Sequence, residues 1–361
     1  MSHHLTLHII SPIPFSNLNR DDTGTPKRVN QGGALRALHS SQSIKRGIRK
    51  AYETASLDLS VRSGELSEAI AERVKQIDAE LDEKKVAKEA KAIVGKLTKA
   101  ESTDKESNRS IWLSQEENET AAQTVVEILS PQEDAEKAEV QDFIDGTKTG
   151  SLAISAFGRM FANSPQNNTE AALSVSPAVT THAASIDTDY FSTVDDRYEE
   201  QNKTGATFLG VSQYTSGVFY RTVTIDKAQL RRSWSAFDNP DSRDNVKELV
   251  RSIVYGQPRG KENSTAPYTL PAVVFAEEQR YRTTYDFESP VTAAKNGGFL
   301  ESTVNALGEQ YQRARSFDAS NFGPVEALSG TYPELAGALP GVEPVGLDQL
   351  IDTVTKWVYD D

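Results

Sequence analysis

The chain has no cysteine among its 361 residues, so it holds neither a disulfide nor a thiolate metal site, and a cysteine nucleophile is excluded. No stretch approaches the roughly 18 apolar residues of a membrane span, and MSHHLTLHIISPI shows no basic region followed by a long apolar run. The expectation is a cytoplasmic protein with no membrane partner. A P-loop, a GxGxxG turn after a strand and a GxSxG elbow are missing, which removes support from the enzyme classes built on them. The aromatic-rich signature of an ordinary RNA-recognition sheet is absent as well, so bases are not expected to be read by stacking across strands. His4 and His8 share one face of the first strand, but two histidines without a thiol make a poor site, and neither a metal nor another cofactor is expected. Acidic pairs occur at Asp21-Asp22, Asp187 with Asp189, and Asp195-Asp196; in loops these are more often solvated or capping groups than metal ligands, so no catalytic residue is assigned.

What is present is length and excess negative charge. A chain of 361 residues makes one enlarged domain or two to three ordinary ones. With 39 Lys and Arg against 52 Asp and Glu the net charge is −13, which excludes a protein that coats nucleic acid over its whole surface but leaves room for a local basic groove.

Two kinds of patterning divide the chain. From Val61 to Asp142 it reads as helix: Leu66, Ile70, Val74, Ile77 and Leu81 recur at three- and four-residue spacings. Ser114 and Glu117 have capping-box spacing, and Ser130, Pro131 and Glu133 mark a further helix start, whose stripe (Val140, Phe143, Ile144) ends at Gly146. This segment carries 12 basic and 20 acidic residues, hence much of the excess negative charge. Elsewhere the signal is mainly strand: alternation at Leu5, Leu7 and Ile9, alternation through GVFYRTVTID (217–226), and further strands at 151–160, 174–182, 207–213 and 271–276. Helices are expected at 41–54, 244–254, 299–314 and 347–359. The fold class is therefore α+β, with excursions from a sheet core. The longest excursion, 183–204, is polar and carries Tyr190-Phe191 at its middle.

Between Arg20 and Lys50 the charge balance reverses: Arg20, Lys27, Arg28, Arg36, Lys45, Arg46, Arg49 and Lys50 face only Asp21 and Asp22, giving +6. Within it, HSSQSIKRGIRKAYETA starts a helix that Ser40 or Ser41 can cap, with Ile44, Ile48 and Tyr52 on the packed face and Lys45, Arg46, Arg49 and Lys50 beside it. Cations at a helix start oppose the macrodipole, and a bound anion reverses the sign. A solvated basic helix face is the competing explanation. Gly24, Gly32 and Gly33 punctuate the preceding stretch as if it were a mobile basic loop, and several separated phosphates satisfy these groups better than one phosphate ester does.

The order of motifs carries further information: LNRDD, SSQSIKR, a helical insert, GRM (158–160), TTH (180–182), DYFSTVDD (189–196) and SGVFYR (216–221). Through these residues, from the first strand to about residue 225, the sequence resembles the CasC family, the backbone subunit of the type I-E CRISPR Cascade complex. The resemblance implies a ferredoxin-like (RRM-type) palm built from 1–60, 146–182 and 207–361, an inserted helical fingers domain at 61–145, and an extended thumb loop or hairpin at 183–206. It implies RNA binding by Ser41, Gln42, Ser43, Lys45, Arg46 and Arg49, with Arg20 and Lys27 nearby and with Arg159 and Met160 where a nucleotide is kinked out. Tyr190 and Phe191 would be a thumb wedge at the guide-target duplex. The implied partners are CRISPR RNA, the target DNA strand paired to it, other copies of the chain and other Cascade subunits, in a helical filament that binds and does not turn over. Related backbone subunits of other CRISPR types cut target RNA with a metal-dependent loop acid, which makes Asp22 the candidate for the alternative.

Overall fold

The computed structural model describes residues 3–56, 58, 60–63, 65–98, 111–130, 144–161, 164–193 and 208–360. Its strands are β1 (His4–Ser16), β2 (Arg28–Gln31), β3 (Ala34–His39), β4 (Ser60–Ser63), β5 (Ile111–Ser114), β6 (Leu173–Val175), β7 (Ala178–Thr180), β8 (Asp187–Thr193), β9 (Phe208–Asp226), β10 (Val273–Gln279) and β11 (Phe322–Ser329). The helices are α1 (Ser41–Ala55), α2 (Leu66–Ile77), α3 (Glu83–Thr98), α4 (Gln115–Leu129), α5 (Leu152–Phe157), α6 (Lys227–Ser233), α7 (Arg243–Tyr255), α8 (Glu262–Thr265), α9 (Leu300–Phe317) and α10 (Leu347–Tyr359). Helices and an antiparallel sheet are mixed, as the α+β reading expects. The chain divides into two compact units, one of residues 1–51, 175–224 and 250–361, the other of 52–174 and 225–249.

The first unit is built on a sheet with the path β11-β10-β1-β9-β7-β3-β2. β1 pairs antiparallel with β10 in the register His8 opposite Phe275, and Leu5 through Ile10 are all buried, so both faces of this central strand are covered. Helix α9 packs on one face: Val304, Leu307 and Tyr311 join Ile10, Phe275 and Leu328 in a single apolar cluster. The stretch expected to be a mobile basic loop is instead the β2-β3 hairpin, turned at Gly32 and Gly33, whose φ values of 60° and 72° suit a two-residue turn. Arg36 is consequently an internal group and not a surface cation: it is buried and donates to the carbonyl oxygens of Thr180, Phe287 and Glu288.

The second unit buries one face each of α2, α3 and α4 in a common cluster of Ile70, Val74, Val86, Ala90, Ile93, Ala121 and Val125. The Ser114 capping box forms with both its bonds, Glu117 N to Ser114 Oγ at 3.1 Å and Ser114 N to the Glu117 carboxylate at 2.8 Å. The strand expected at 151–160 is helix α5, capped by Ser151; all but Phe157 of its six residues are buried, and a short run covered on all sides carries no period to separate helix from strand. The helix expected after Ser130 lies outside the described residues.

Candidate nucleic-acid interface

The basic segment folds as a loop closing on a helix start, all within the first unit. After β1, Asn17 donates to the carbonyls of Gly24 (2.9 Å) and Gln213 (2.8 Å), and Asp21 turns the loop by accepting from Thr23 N, Thr23 Oγ1 and Thr25 N. The bond to the Thr23 hydroxyl, with the two backbone donors and Arg28 adding to it, holds the Asp21 carboxyl below its usual range although its limited burial works the other way. Asn19 ties this loop to α1: its side-chain oxygen accepts from Ser40 N at 2.8 Å and Ser43 Oγ at 3.1 Å, while its backbone oxygen accepts from Lys27 N at 2.9 Å. Ser40 caps the helix, accepting from Ser43 N at 3.4 Å, and the first turn of α1 contains no acid. Arg20, Lys27, Ser41, Gln42, Ser43, Lys45 and Arg46 are thereby brought to one end of α1.

Arg73, Arg251, Arg259, Arg313 and Arg315 all hold carboxylates, whereas the side chains of Arg20, Lys27, Lys45 and Arg46 have no ion pair or hydrogen bond among the described residues, a state they share with Lys84, Lys85, Lys88 and Lys91 of α3. Arg49, expected beside Lys45, is 7% exposed, so it lies under the helix and not on its open side. Four unpaired cations around a helix N-terminus, with the dipole adding partial positive charge, make a self-repelling arrangement that an external polyanion relieves.

A segment absent from the sequence reading completes this end. Residues 256–261 (GQPRGK) pack against α1 and the loop so closely that a Cβ on Gly47 would lie 2.2 Å from the Gln257 carbonyl oxygen and one on Gly260 would lie 2.4 Å from that of Leu18. They bring Lys261, which donates to Ser212 Oγ at 2.9 Å and lies 5.5 Å over the Tyr214 ring, and Arg259, held by Glu262. The signal was present as two cations flanking a glycine, but only tertiary packing shows which loop they join.

From Tyr214 and Asp187 onward the strands β8 and β9 form an antiparallel pair, Tyr190 opposite Val211 and Phe191 opposite Gly210. Adjacent strand residues face opposite sides, so Tyr190 and Phe191 do not form one flat surface. Tyr190 is 70% exposed on the face it shares with Leu209 and Val211, while Phe191 lies over Gly210, where a Cβ would come within 2.3 Å of its ring. Asp195 and Asp196 lie outside the described residues.

Arg159 and Met160 belong to the second unit. The Arg159 guanidinium is buried, donating to both oxygens of Glu117 at 2.5 and 2.8 Å and to Trp112 O at 3.2 Å. Met160, 80% exposed, is the side chain of GRM available to a ligand.

A model of CT1975-like proteins (Cas_CT1975) matches residues 5–352. The chain belongs to that family. Two solved structures resemble this CT1975-like protein over nearly its whole length. One, from a "CRISPR RNA-guided surveillance complex, pre-nicking", is 24% identical with a TM-score of 0.81 and covers 99% of this chain and 100% of its own. The other, from a "CRISPR RNA-guided surveillance complex", is 20% identical with a TM-score of 0.70 and covers 98% and 99%. At these identities the likeness establishes the fold. No curated protein matches the sequence. Among the described residues of this CT1975-like protein, no helix is long and apolar enough to cross a membrane.

Buried histidines add a pH dependence to the first unit. His39 is stacked on Phe219 at 4.5 Å, and burial, helped by the Arg221 charge, pushes it down to about 3. An unfolded histidine titrates near 6.5, so below that pH the unfolded chain binds a proton that the folded chain refuses. No penalty exists above pH 6.5; it grows by about 1.4 kcal/mol per unit as pH falls toward 3. Urea denaturation at pH 7 and 5 should show this loss, and His39→Phe should remove about 2 kcal/mol of it.

Proposed function

We propose that the chain is a CRISPR RNA-binding backbone subunit of a Cascade-type surveillance complex, and that the observation carrying this is the convergence of Arg20, Lys27, Lys45 and Arg46, unpaired among the described residues, on the open N-terminus of α1. Family membership and the likeness to chains of RNA-guided surveillance complexes support the same reading. In it the first unit supplies a ferredoxin-like palm, the helices within 61–145 the fingers, and the β8-β9 hairpin the thumb, as in the type I-E CasC family. Phosphates lie on the α1 end and give sequence-independent, salt-dependent affinity. Repeated copies stack along one guide, so that many weak sites add up to tight assembly and target DNA is read by base pairing.

The chain binds in this proposal and does not turn over. Expressed with a CRISPR array and its partner subunits, it should elute as a large ribonucleoprotein of uniform RNA length, with absorbance at 260 nm exceeding that at 280 nm. Recovery as an RNA-free protein would overturn the assignment. Magnesium and complementary RNA added to the complex should leave that RNA whole; periodic cuts lost in Asp22→Ala would establish the nuclease alternative instead.

A further inference from the structure

Extending the RNA-binding proposal, we infer that a cavity beside the first turn of α1 receives one flat, neutral heteroaromatic ring, a nucleobase, whose polar edge meets His39. The cavity holds about 240 Å³ and is lined by Ile13, His39, Ile44, Phe219, Tyr268 and Leu270 among others, all of the first unit. Pockets for drug-sized ligands run from about 300 to 1,000 Å³, so this one accommodates a single ring system and not a dinucleotide.

Its chemistry selects further. Aromatic and branched walls favour a flat apolar ring over a sugar or a phosphate. His39 is 4% exposed, stacked on Phe219, and its ring nitrogens have no hydrogen-bond partner among the described residues. Its imidazole lies on the cavity wall with no protein hydrogen-bond partner among those residues, open to a ligand, and a neutral imidazole offers one donor and one acceptor, the same combination that a base edge presents. Arg221, also on the wall, is buried and fixed by the carbonyls of Ile253, Val254 and Gly256, so its charge disfavours a cationic ligand. Tyr268 and Leu270 remain more than half exposed while lining the cavity, which gives a ring access from outside. Ile44 lines the wall and follows Ser41–Ser43 in the chain, so a strand held at the helix start has its sugar-phosphate anchor next to the cavity.

A base of a bound strand and a free nucleobase share this chemistry, and the test separates them. Leu270→Trp fills the cavity from its exposed rim, and Tyr268→Ala removes one wall without adding bulk. The first probe is single-stranded RNA against the same chain length with abasic units, read by fluorescence anisotropy. The second is adenosine, read by saturation-transfer NMR on the full chain. Wild type should bind the abasic strand about tenfold more weakly than the intact one, the scale of a lost stacked base. Leu270→Trp should bind both strands alike, with an unchanged salt slope, and Tyr268→Ala should reduce the discrimination. Adenosine transfer that Leu270→Trp abolishes, without RNA binding, would keep the cavity as a free-base site while removing the RNA-binding proposal. RNA binding that is indifferent to bases in every variant, with no adenosine signal that Leu270→Trp removes, would overturn the cavity assignment and leave RNA binding standing.

Discussion

Lys45→Glu combined with Arg46→Glu is expected to weaken binding of single-stranded RNA by about a hundredfold or more at physiological salt. Both side chains stand at the open end of α1 with no side-chain ion pair or hydrogen bond among the described residues, so their replacement removes no internal polar contact. Their loss withdraws two phosphate contacts and puts two negative charges in their place. For single strands each contact contributes about 0.7 to the slope of log K against log salt, so the slope should shrink by about 1.4. The control is Arg251→Glu with Arg313→Glu, an equal change of net charge at cations already engaged with Asp348 and Glu309. Equal loss in both double variants would mean that RNA responds to overall charge and that the end of α1 is no site. Circular dichroism of the free chains checks that neither pair unfolds the protein.

Local rules made much of this site legible. Ser40 and the SSQS turn have helix-start chemistry, and Ile44 and Ile48 fall four apart because they face the core, so the extent of α1 followed from the sequence. Helix α10 was legible for the same reason, with Leu350, Ile351, Val354, Trp357 and Val358 buried along one side. Failures occurred where the decisive contact is distant in sequence. Arg36 has the same charge as Lys27, yet only the pairing of β3 with β7 carries it beneath the carbonyls of Phe287 and Glu288. Distant contacts also escape a motif: Arg159, which the resemblance places at the RNA, has its guanidinium held by Glu117, the residue whose carboxylate also closes the capping box at Ser114. Strand β11 lies where the sequence reading placed no element; Pro324 is tolerated in it because β11 is the edge of the sheet, where a missing N–H donor costs no ladder bond.

The polar interior of the first unit carries the second large effect. Glu277 is fully buried and accepts from Arg315 at 2.9 Å, from Gln279 at 2.7 Å and from the Tyr285 hydroxyl at 3.1 Å, with His8 Nε2 2.9 Å away. Arg315 also pairs with Glu326, and the other His8 nitrogen lies 2.7 Å from the Tyr220 hydroxyl, so one network joins β1, β9, β10, β11 and α9. Burial by itself would raise the Glu277 pKa, but the hydrogen bonds and charges of His8 and Arg315 prevail and hold it below the usual carboxylate range. Glu277→Ala removes the acceptor that these donors share and leaves Arg315 with Glu326 as its remaining carboxylate among the described residues. The expected cost is about 3–5 kcal/mol, the range for one partner removed from a buried pair, against a total stability of about 5–15 kcal/mol. Glu277→Gln keeps the shape and one acceptor oxygen and should cost less. Adding Arg315→Met to Glu277→Ala should cost less than the sum of the two single changes, because either one alone already removes the bond between these two groups. Chemical denaturation of these variants and of Arg315→Met alone at pH 7 measures this: a loss under 1 kcal/mol for Glu277→Ala, or a double variant at least as weak as the sum of its singles, would show that the buried charges do not act as a unit. The lowered Glu277 pKa also fixes the sign of the pH effect, since its contribution is present at neutral pH and is lost as pH falls through the folded-state value, adding to the acid sensitivity from His39.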